Sequence, residues 1–522
     1  MLDPLSFSHG TTITSDWLNQ IQSRSFVSYC VYEKFTLVEQ LDAISGGRNY
    51  DLSVKIQAAI DDVYSRGGGD LFLPAGTYRT DSPIYMKLGV SILCPNHKVS
   101  AGQLYEASTE GALRGVARIV PSASVTTAAV FWDYSWSVRA ERPYGSTLDN
   151  AIIDGRYMTG TADCVRVMCT PANQGPFNNG WASGATRLNN CILMRAPRYG
   201  AYIVATDTEK MNAGFRECRF AFNGSHGLYA FKSFDIMLDH CFSFANSGDG
   251  LYFDNCATAR VLQCDIFSNL GHGVTDDGYD SRYEGCAIEN NHMHGLRIIA
   301  TNSTITHKKI RVLGGRYSTN SYGYDATYSN IYLGDKAGVA VTGVLIDSIS
   351  MGLQAHVNTT NRVKHEIESS ALSIQNTNRV TGCGLAANDL KTGNAQMNDN
   401  FWMTAVFENS ENSAGQTISQ KWYPLTAGSG SFWQPNILRG VNKFVTQNTS
   451  AAVLWGLFTN TVSLEGNEIF IKINDANTGV DFSGTTLKGN GGVDLAAGAG
   501  NIGKILRFVC VDGTNWACTI LG

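Results

Sequence analysis

Charge is scarce in this chain: Lys, Arg, Asp and Glu make up only 16% of its 522 residues, and the formal net charge is −5. Nucleic-acid binders neutralise phosphates with a basic excess, so no nucleic-acid partner is expected. Long apolar runs are missing too. No stretch is apolar for long enough to span a bilayer, and none near the N-terminus has the form of a secretory leader. Neither membrane insertion nor export by a cleaved signal is therefore expected, and the protein is read as soluble. Cysteine is not rare, at thirteen, but the number is odd and five of them recur in a regular column. That favours reduced core thiols, assembled in a cytoplasm, over a disulfide scaffold. Glycine is plentiful at 54 residues, which suits a turn-rich all-β chain.

The regular column lies between Asn190 and Ile299. Cysteines stand at Cys191, Cys218, Cys241, Cys264 and Cys286, separated by 27, 23, 23 and 22 residues. Nine residues after each comes a glycine, at Gly200, Gly227, Gly250, Gly273 and Gly295, and an apolar residue follows every one. Asparagine stands five residues after the last four cysteines, at Asn223, Asn246, Asn269 and Asn291. A fixed period of this length marks a repeat architecture. The unit is too short for a helical pair and its apolar positions alternate by two, so each unit is a coil of short strands in a parallel β-helix. Stacked coils lie about 4.8 Å apart, so equivalent positions form ladders. The Cys column points inward and the Asn column sits at a bend, where Asn tolerates a left-handed backbone. Two residues past the Gly column the side chains face out: Tyr202, Tyr229, Tyr252, Thr275 and Arg297. A chain of this length is too long for one ordinary core, but a solenoid escapes that limit because each coil meets only its neighbours.

In chain order, residues 1–35 carry no complete fold signal and read either as a flexible arm or as a peptide that attaches to a larger particle. Residues 36–95 follow as a capping helix and first strands. Leu52, Ile56, Ala59, Ile60 and Val63 share one helical face, closed by Gly67-Gly68-Gly69. The run from Ile56-Gln57-Ala58-Ala59-Ile60-Asp61 through those glycines to Leu73-Pro74-Ala75-Gly76-Thr77-Tyr78 resembles the N-terminal cap of pectate-lyase-like β-helix proteins, a cap widespread in bacteriophage tailspikes. Tyr50-Asp51-Leu52 departs from the Asp-Gly loop usual before that helix. The resemblance implies a right-handed single-stranded parallel β-helix, here over residues 96–390, with its open end covered by the cap. It implies a tailspike that binds and depolymerises a bacterial surface polysaccharide, capsule or O-antigen. It further implies a homotrimer in the virion, made in the host cytoplasm, acting at the outer surface of the bacterium, and joined to the phage tail or an adaptor protein through the N-terminus. From Asn398 the alternating strands Phe401-Trp402-Met403 and Ile469-Phe470-Ile471-Lys472-Ile473 suggest a β-sandwich-like module over 398–522, which caps the last coil.

Chemistry concentrates on the regular coils. Asp254 and Asp277 occupy one outward column on adjacent coils, which predicts Cα atoms about 5 Å apart and carboxyl groups able to share a proton. One acid and one base is the division that glycoside hydrolysis needs, so these are the first-choice catalytic pair. Tyr229, Tyr252, Asp276, Arg297 and the loop residue Trp181 are expected to contact substrate, although Trp181 reads equally as structural packing. Each acid taken singly reads more readily as a turn residue; their concentration favours a site. A second resemblance is partial. Gly248-Asp249-Gly250, Gly271-His272-Gly273 and Arg297-Ile298-Ile299 are similar, in order, to the Asp-Asp, Gly-His-Gly and Arg-Ile-Lys motifs of polygalacturonases. Gly248, Gly224-Ser225-His226 and Ile299 depart from that pattern, so Asp249 and His272 are second-choice catalytic residues. Two rivals stay open: a lyase using His272 or Tyr252 as base with Arg297 as cation, and a non-catalytic receptor-binding spike. No cofactor or metal is expected, since Asp276-Asp277-Gly278-Tyr279-Asp280 lacks the spacing and closing Glu of a calcium loop.

Overall fold

The computed structural model describes residues 29–95, 115–134, 143, 145–168, 181–205, 210–301, 308–324, 327–334, 341–352, 367–369, 379–381, 384–385, 406–408, 411–412, 423–425, 432–433, 443–457, 468–483, 487–511 and 515–521. The chain forms two compact units, residues 1–260 and 261–522.

The first unit opens with a cap. The expected helix is Ser53–Ser65, with Ile56, Ala59, Ile60 and Val63 buried against the first coil. A second helix, Leu37–Ser45, begins at a capping box in which Thr36 and Glu39 satisfy each other's backbone N–H groups. It was not legible in the sequence because its apolar residues Leu37, Val38, Leu41 and Ile44 face solvent. The part of the expected N-terminal arm that lies before Tyr29 is outside the described residues. The rest belongs to the cap: Tyr29–Cys30 pairs in parallel with Leu71 and Phe72.

Beyond the cap each coil contributes three strands to three parallel ladders. One ladder runs through Thr147–Asp149, Trp181–Asn189, Lys210–Arg216 and Met237–Asp239. The next runs through Ile152–Asp154, Ile192–Met194, Arg219–Ala221 and Phe242–Phe244. The third, the tyrosine face, runs through Ile84–Tyr85, Ala128–Asp133, Asp163–Met168, Ala201–Val204, Leu228–Phe231 and Leu251–Asp254.

The repeated residues hold the coils together by direct contact. The Cys column is buried and its thiols donate to carbonyls of the preceding coil, as in Cys191 Sγ to Leu148 O at 3.1 Å and Cys218 Sγ to Leu188 O at 3.2 Å. The Asn column is also buried. Asn223 donates through its backbone N–H and its Nδ2 to Asn246 Oδ1, at 3.1 and 2.9 Å. The left-handed residue is the one before each Asn, as at Phe222 and Ala245, so the expected bend is one position early. Freed from turning the chain, the Asn side chain bonds along the ladder. That explains the glycines: a Cβ at Gly227 would stand 2.9 Å from Asn246 Nδ2 and 2.5 Å from Gly250 O.

The second unit repeats this logic. Asn269, Asn291, Asn320 and Asn330 form an amide ladder with steps of 2.9 Å. Its strands Arg379–Thr381 and Val406–Glu408 pair in parallel, as do Gly384–Leu385 and Glu411–Asn412, so the β-helix runs past Asn388 to at least Asn412. The C-terminal module has two sheets around one core that includes Phe444, Leu454, Ile471, Phe508 and Trp516. Its first strands are parallel and coil-like, Tyr423–Leu425 with Lys443–Thr446 and Phe432–Trp433 with Ala452–Leu454. The closing strands Ile505–Cys510 and Trp516–Leu521 form an antiparallel hairpin, and Ile505–Cys510 also pairs antiparallel with Glu468–Lys472. Alternating apolar residues suit either arrangement, which is why the parallel order was not foreseen.

Candidate functional site

The tyrosine face of the first unit presents one outward column across six coils: Tyr85, Phe131, Arg166, Tyr202, Tyr229 and Tyr252. The parallel register and the two-residue side-chain alternation put them in line. Tyr199 and His226, just before the glycines, complete a ring cluster. Tyr199 stacks on Tyr229 at 4.9 Å between centroids and on His226 at 5.5 Å, while Tyr252 meets Tyr229 edge-on at 5.2 Å. Half-buried rings held this way offer flat apolar faces at little entropic cost.

Asp254 stands at the end of its strand beside this cluster. Tyr229 Oη donates to Asp254 Oδ2 at 2.6 Å, a short charge-assisted bond. Burial, and then that bond, push the Tyr229 phenol well above its ordinary pKa, so it stays a donor to Asp254. His226 is fixed from the other side. Its Nδ1 accepts the Asp249 backbone N–H at 2.9 Å, which leaves the ring proton on Nε2. Burial lowers the His226 pKa, opposed by the charge of Asp249. Asp249 itself is buried.

In the second unit His272 accepts the His294 backbone N–H at Nδ1, 3.1 Å away, so its neutral ring also carries the proton on Nε2. Arg297 Nη1 lies 3.5 Å from that Nε2. Both groups are donors, which makes His272 a poor proton acceptor and the pair a fit for a shared oxygen. His272 stacks on His294 at 5.2 Å, and His294 on Tyr332 at 4.4 Å.

Two expected residues are placed elsewhere. Asp276 is in the inward column, opposite Ile298, and is fully buried. It accepts from Tyr283 Oη at 2.7 Å and from the Gly278 N–H at 2.6 Å, and burial raises its pKa. The substrate contact expected of it is corrected to a core role, because strand alternation puts it on the inward side with the buried Ile298. Asp277 is also buried, and it forms an ion pair with Lys308 at 3.1 Å while Thr301 donates to it through backbone and hydroxyl. Asp254 is held by Tyr229 and Asp277 by Lys308. Trp181 opens the strand Trp181–Asn189, its backbone opposite Lys210; its side chain lies outside the described residues.

The sequence reading missed three residues. Arg166 and Arg198 both reach the buried Asp163, each with Nη2 2.7 Å from Oδ2. The guanidinium of Arg198 lies 4.6 Å from the ring centroids of Tyr199 and Tyr202. The signal was present, since Cys164-Val165-Arg166-Val167 reads as a strand, but that coil lacks the Gly marker that would have aligned Arg166 with the tyrosines.

Among known proteins, residues 179–333 match the family model for the right handed beta helix region. No curated protein sequence matches the chain. Similar solved structures include the A-module of a mannuronan C-5 epimerase from Azotobacter vinelandii, at 14% identity, TM-score 0.46, covering 74% of this chain and 96% of that one. Another is the enzymatically active domain of tailspike protein 2 of bacteriophage CBA120, at 11% identity, TM-score 0.47, covering 94% and 69%. A third is a tailspike protein of Escherichia coli bacteriophage HK620, solved with a pentasaccharide, at 13% identity, TM-score 0.43, covering 91% and 83%. The parallel three-strand ladders and the family match together identify the architecture as a right-handed parallel β-helix.

Proposed function

We propose that the protein is a phage tailspike that binds a bacterial surface polysaccharide along its tyrosine face and hydrolyses a glycosidic bond at Asp254. The observation that carries this reading is the Tyr229–Asp254 bond at 2.6 Å, set within the stacked rings of Tyr199, Tyr229 and Tyr252. Sugar rings pack on aromatic faces, and a half-buried carboxyl group fixed in place by a phenol suits the residue that attacks the anomeric carbon or activates water. Elimination with His272 as base is the weaker reading, because its ring holds its proton on Nε2 beside Arg297; elimination with Tyr252 as base stays the alternative. The cap motif adds what the resemblance implies: a homotrimer on the virion, attached through its N-terminus.

The test is incubation with capsules and lipopolysaccharides from a panel of bacteria, with mass spectrometry and ultraviolet absorbance of the fragments. Saturated oligosaccharides are expected from the wild type. Asp254→Asn should lower cleavage by at least about a hundredfold and leave binding intact. Unsaturated ends would move the chemistry to elimination, full cleavage by Asp254→Asn would remove that residue from the mechanism, and binding without any cleavage would favour a receptor-binding spike. A single-chain mass in light scattering would refute the trimer.

A further inference from the structure

Beside Asp163 the tyrosine face carries more positive charge than that one carboxylate balances. Asp163 is fully buried, yet it accepts from two guanidiniums: Arg166 through Nε at 3.0 Å and Nη2 at 2.7 Å, Arg198 through Nε at 2.9 Å and Nη2 at 2.7 Å. The Tyr199 backbone N–H adds a longer contact at 3.3 Å. Arg166 Nη2 also donates to Thr127 O at 3.0 Å. Among the described residues no partner stands at Nη1 of either arginine, and the side chains keep 16% and 25% of their exposure. One carboxylate against two guanidiniums leaves a net positive charge at a fixed place.

The rings lock that place in position. Arg198 lies over both Tyr199 and Tyr202 at 4.6 Å, and Arg166 lies 5.3 Å from Tyr202. A guanidinium stacked on an aromatic face and tied down by two bonds has already lost most of its rotamer freedom, so binding costs little further entropy. Tyr202 is the register neighbour of Tyr229, whose hydroxyl holds Asp254. Two coil rises, about 10 Å, separate the Tyr202 coil from the Asp254 coil.

We propose that Arg166 and Arg198, held by Asp163, form a subsite for the anionic group of a sugar residue close to the cleavage point, so that the substrate is an acidic polysaccharide. The proposal rests on the polysaccharide reading of this face and adds the substrate class. Asp163 is a positioning residue: it orients both guanidiniums and neutralises one. A carboxylate of a uronic or sialic acid, or a phosphate diester, matches the planar donor fork, and a neutral polymer leaves the excess charge unmatched.

The experiment uses the full chain on an array of bacterial capsular polymers that includes uronate-, sialate- and phosphate-bearing members beside neutral ones. The tightest-bound polymer is expected to be acidic. Binding should weaken at least about tenfold in Arg198→Gln, a loss of one charge-assisted contact, and less in Arg198→Lys, which keeps the charge but not the fork. Raising NaCl from about 0.05 M to about 0.5 M should weaken wild-type binding and affect Arg198→Gln less. If the bound polymer carries uronate, carbodiimide activation and borohydride reduction of its carboxyl groups to alcohols should abolish the preference. Arg166→Gln, and the carboxyl-reduced polymer with the wild type, carry the test if Arg198→Gln fails to fold. Tightest binding to a neutral polymer, or equal binding by the arginine variants, overturns the acidic subsite while the polysaccharide reading stands. Binding to no polymer overturns both.

Discussion

At the scale of the residue, acidity alone was a poor guide to chemistry. Asp254, Asp276 and Asp277 look alike in sequence, yet a carboxylate at a solvent-facing strand end, one in the inward column and one buried against lysine have little in common physically. The Asp277–Lys308 pair makes a direct test. Both side chains are almost without exposure, at 2% and 1%, so each depends on the other for its charge to be tolerated. Lys308→Met should strand a buried anion and destabilise the protein by about 3–5 kcal/mol. Asp277→Asn together with Lys308→Met should recover much of that loss, since neither variant side chain carries a charge. Urea unfolding of the single and double variants would decide it. A Lys308→Met protein as stable as wild type would mean that the pair is solvated after all, and would return Asp277 to the list of groups available to substrate.

At the scale of the element, the coil is specified by a coupling between two columns that the sequence displays openly. The glycine has no side chain because the asparagine amide of the neighbouring coil and a backbone carbonyl fill that space. Asn246 accepts from Asn223 twice and donates from Nδ2 to Phe220 O at 3.1 Å and Ser243 Oγ at 3.2 Å. Asn246→Ala would leave several buried polar groups without partners, each at a cost of about 1–3 kcal/mol. Destabilisation of at least about 2 kcal/mol is therefore expected, read as a shift in the urea midpoint. Gly227→Ala should cost a similar amount for the opposite reason, overcrowding, since its Cβ would meet Ser243 Oγ at 2.3 Å. If Asn246→Ala unfolds with the wild-type midpoint, the amide ladder is ornament and the coils are held by the apolar interior alone. The repeat, its inward and outward faces and the cap helix were legible because each follows from side-chain size and alternation. The arginine pair and the helix Leu37–Ser45 were not, the first because its coil lacks the marker glycine, the second because its apolar stripe faces outward rather than into a core.

At the scale of the whole molecule, the question is what replaces covalent cross-links in a chain with thirteen cysteines. The answer is the ladder itself. Ten cysteines are free thiols in the structure, nine of them buried, and those of the repeat column donate to backbone carbonyls of the preceding coil. Each of these thiols therefore has a backbone oxygen to donate to. Burial raises the pKa of Cys218 well above the ordinary thiol value and pushes that of Cys286 up to about 12, so the reactive thiolate is suppressed. A fold stabilised this way should be indifferent to reductant. The unfolding temperature is expected to be the same with and without dithiothreitol, because no cross-link joins the ten described cysteines. Thiol titration of the native protein should react slowly, and in denaturant without reductant it should find at least the ten thiols described. A clear fall in unfolding temperature on reduction, or fewer than ten thiols in denaturant, would show that the coils cross-link and that the carbonyl-facing column is not the state of the folded protein.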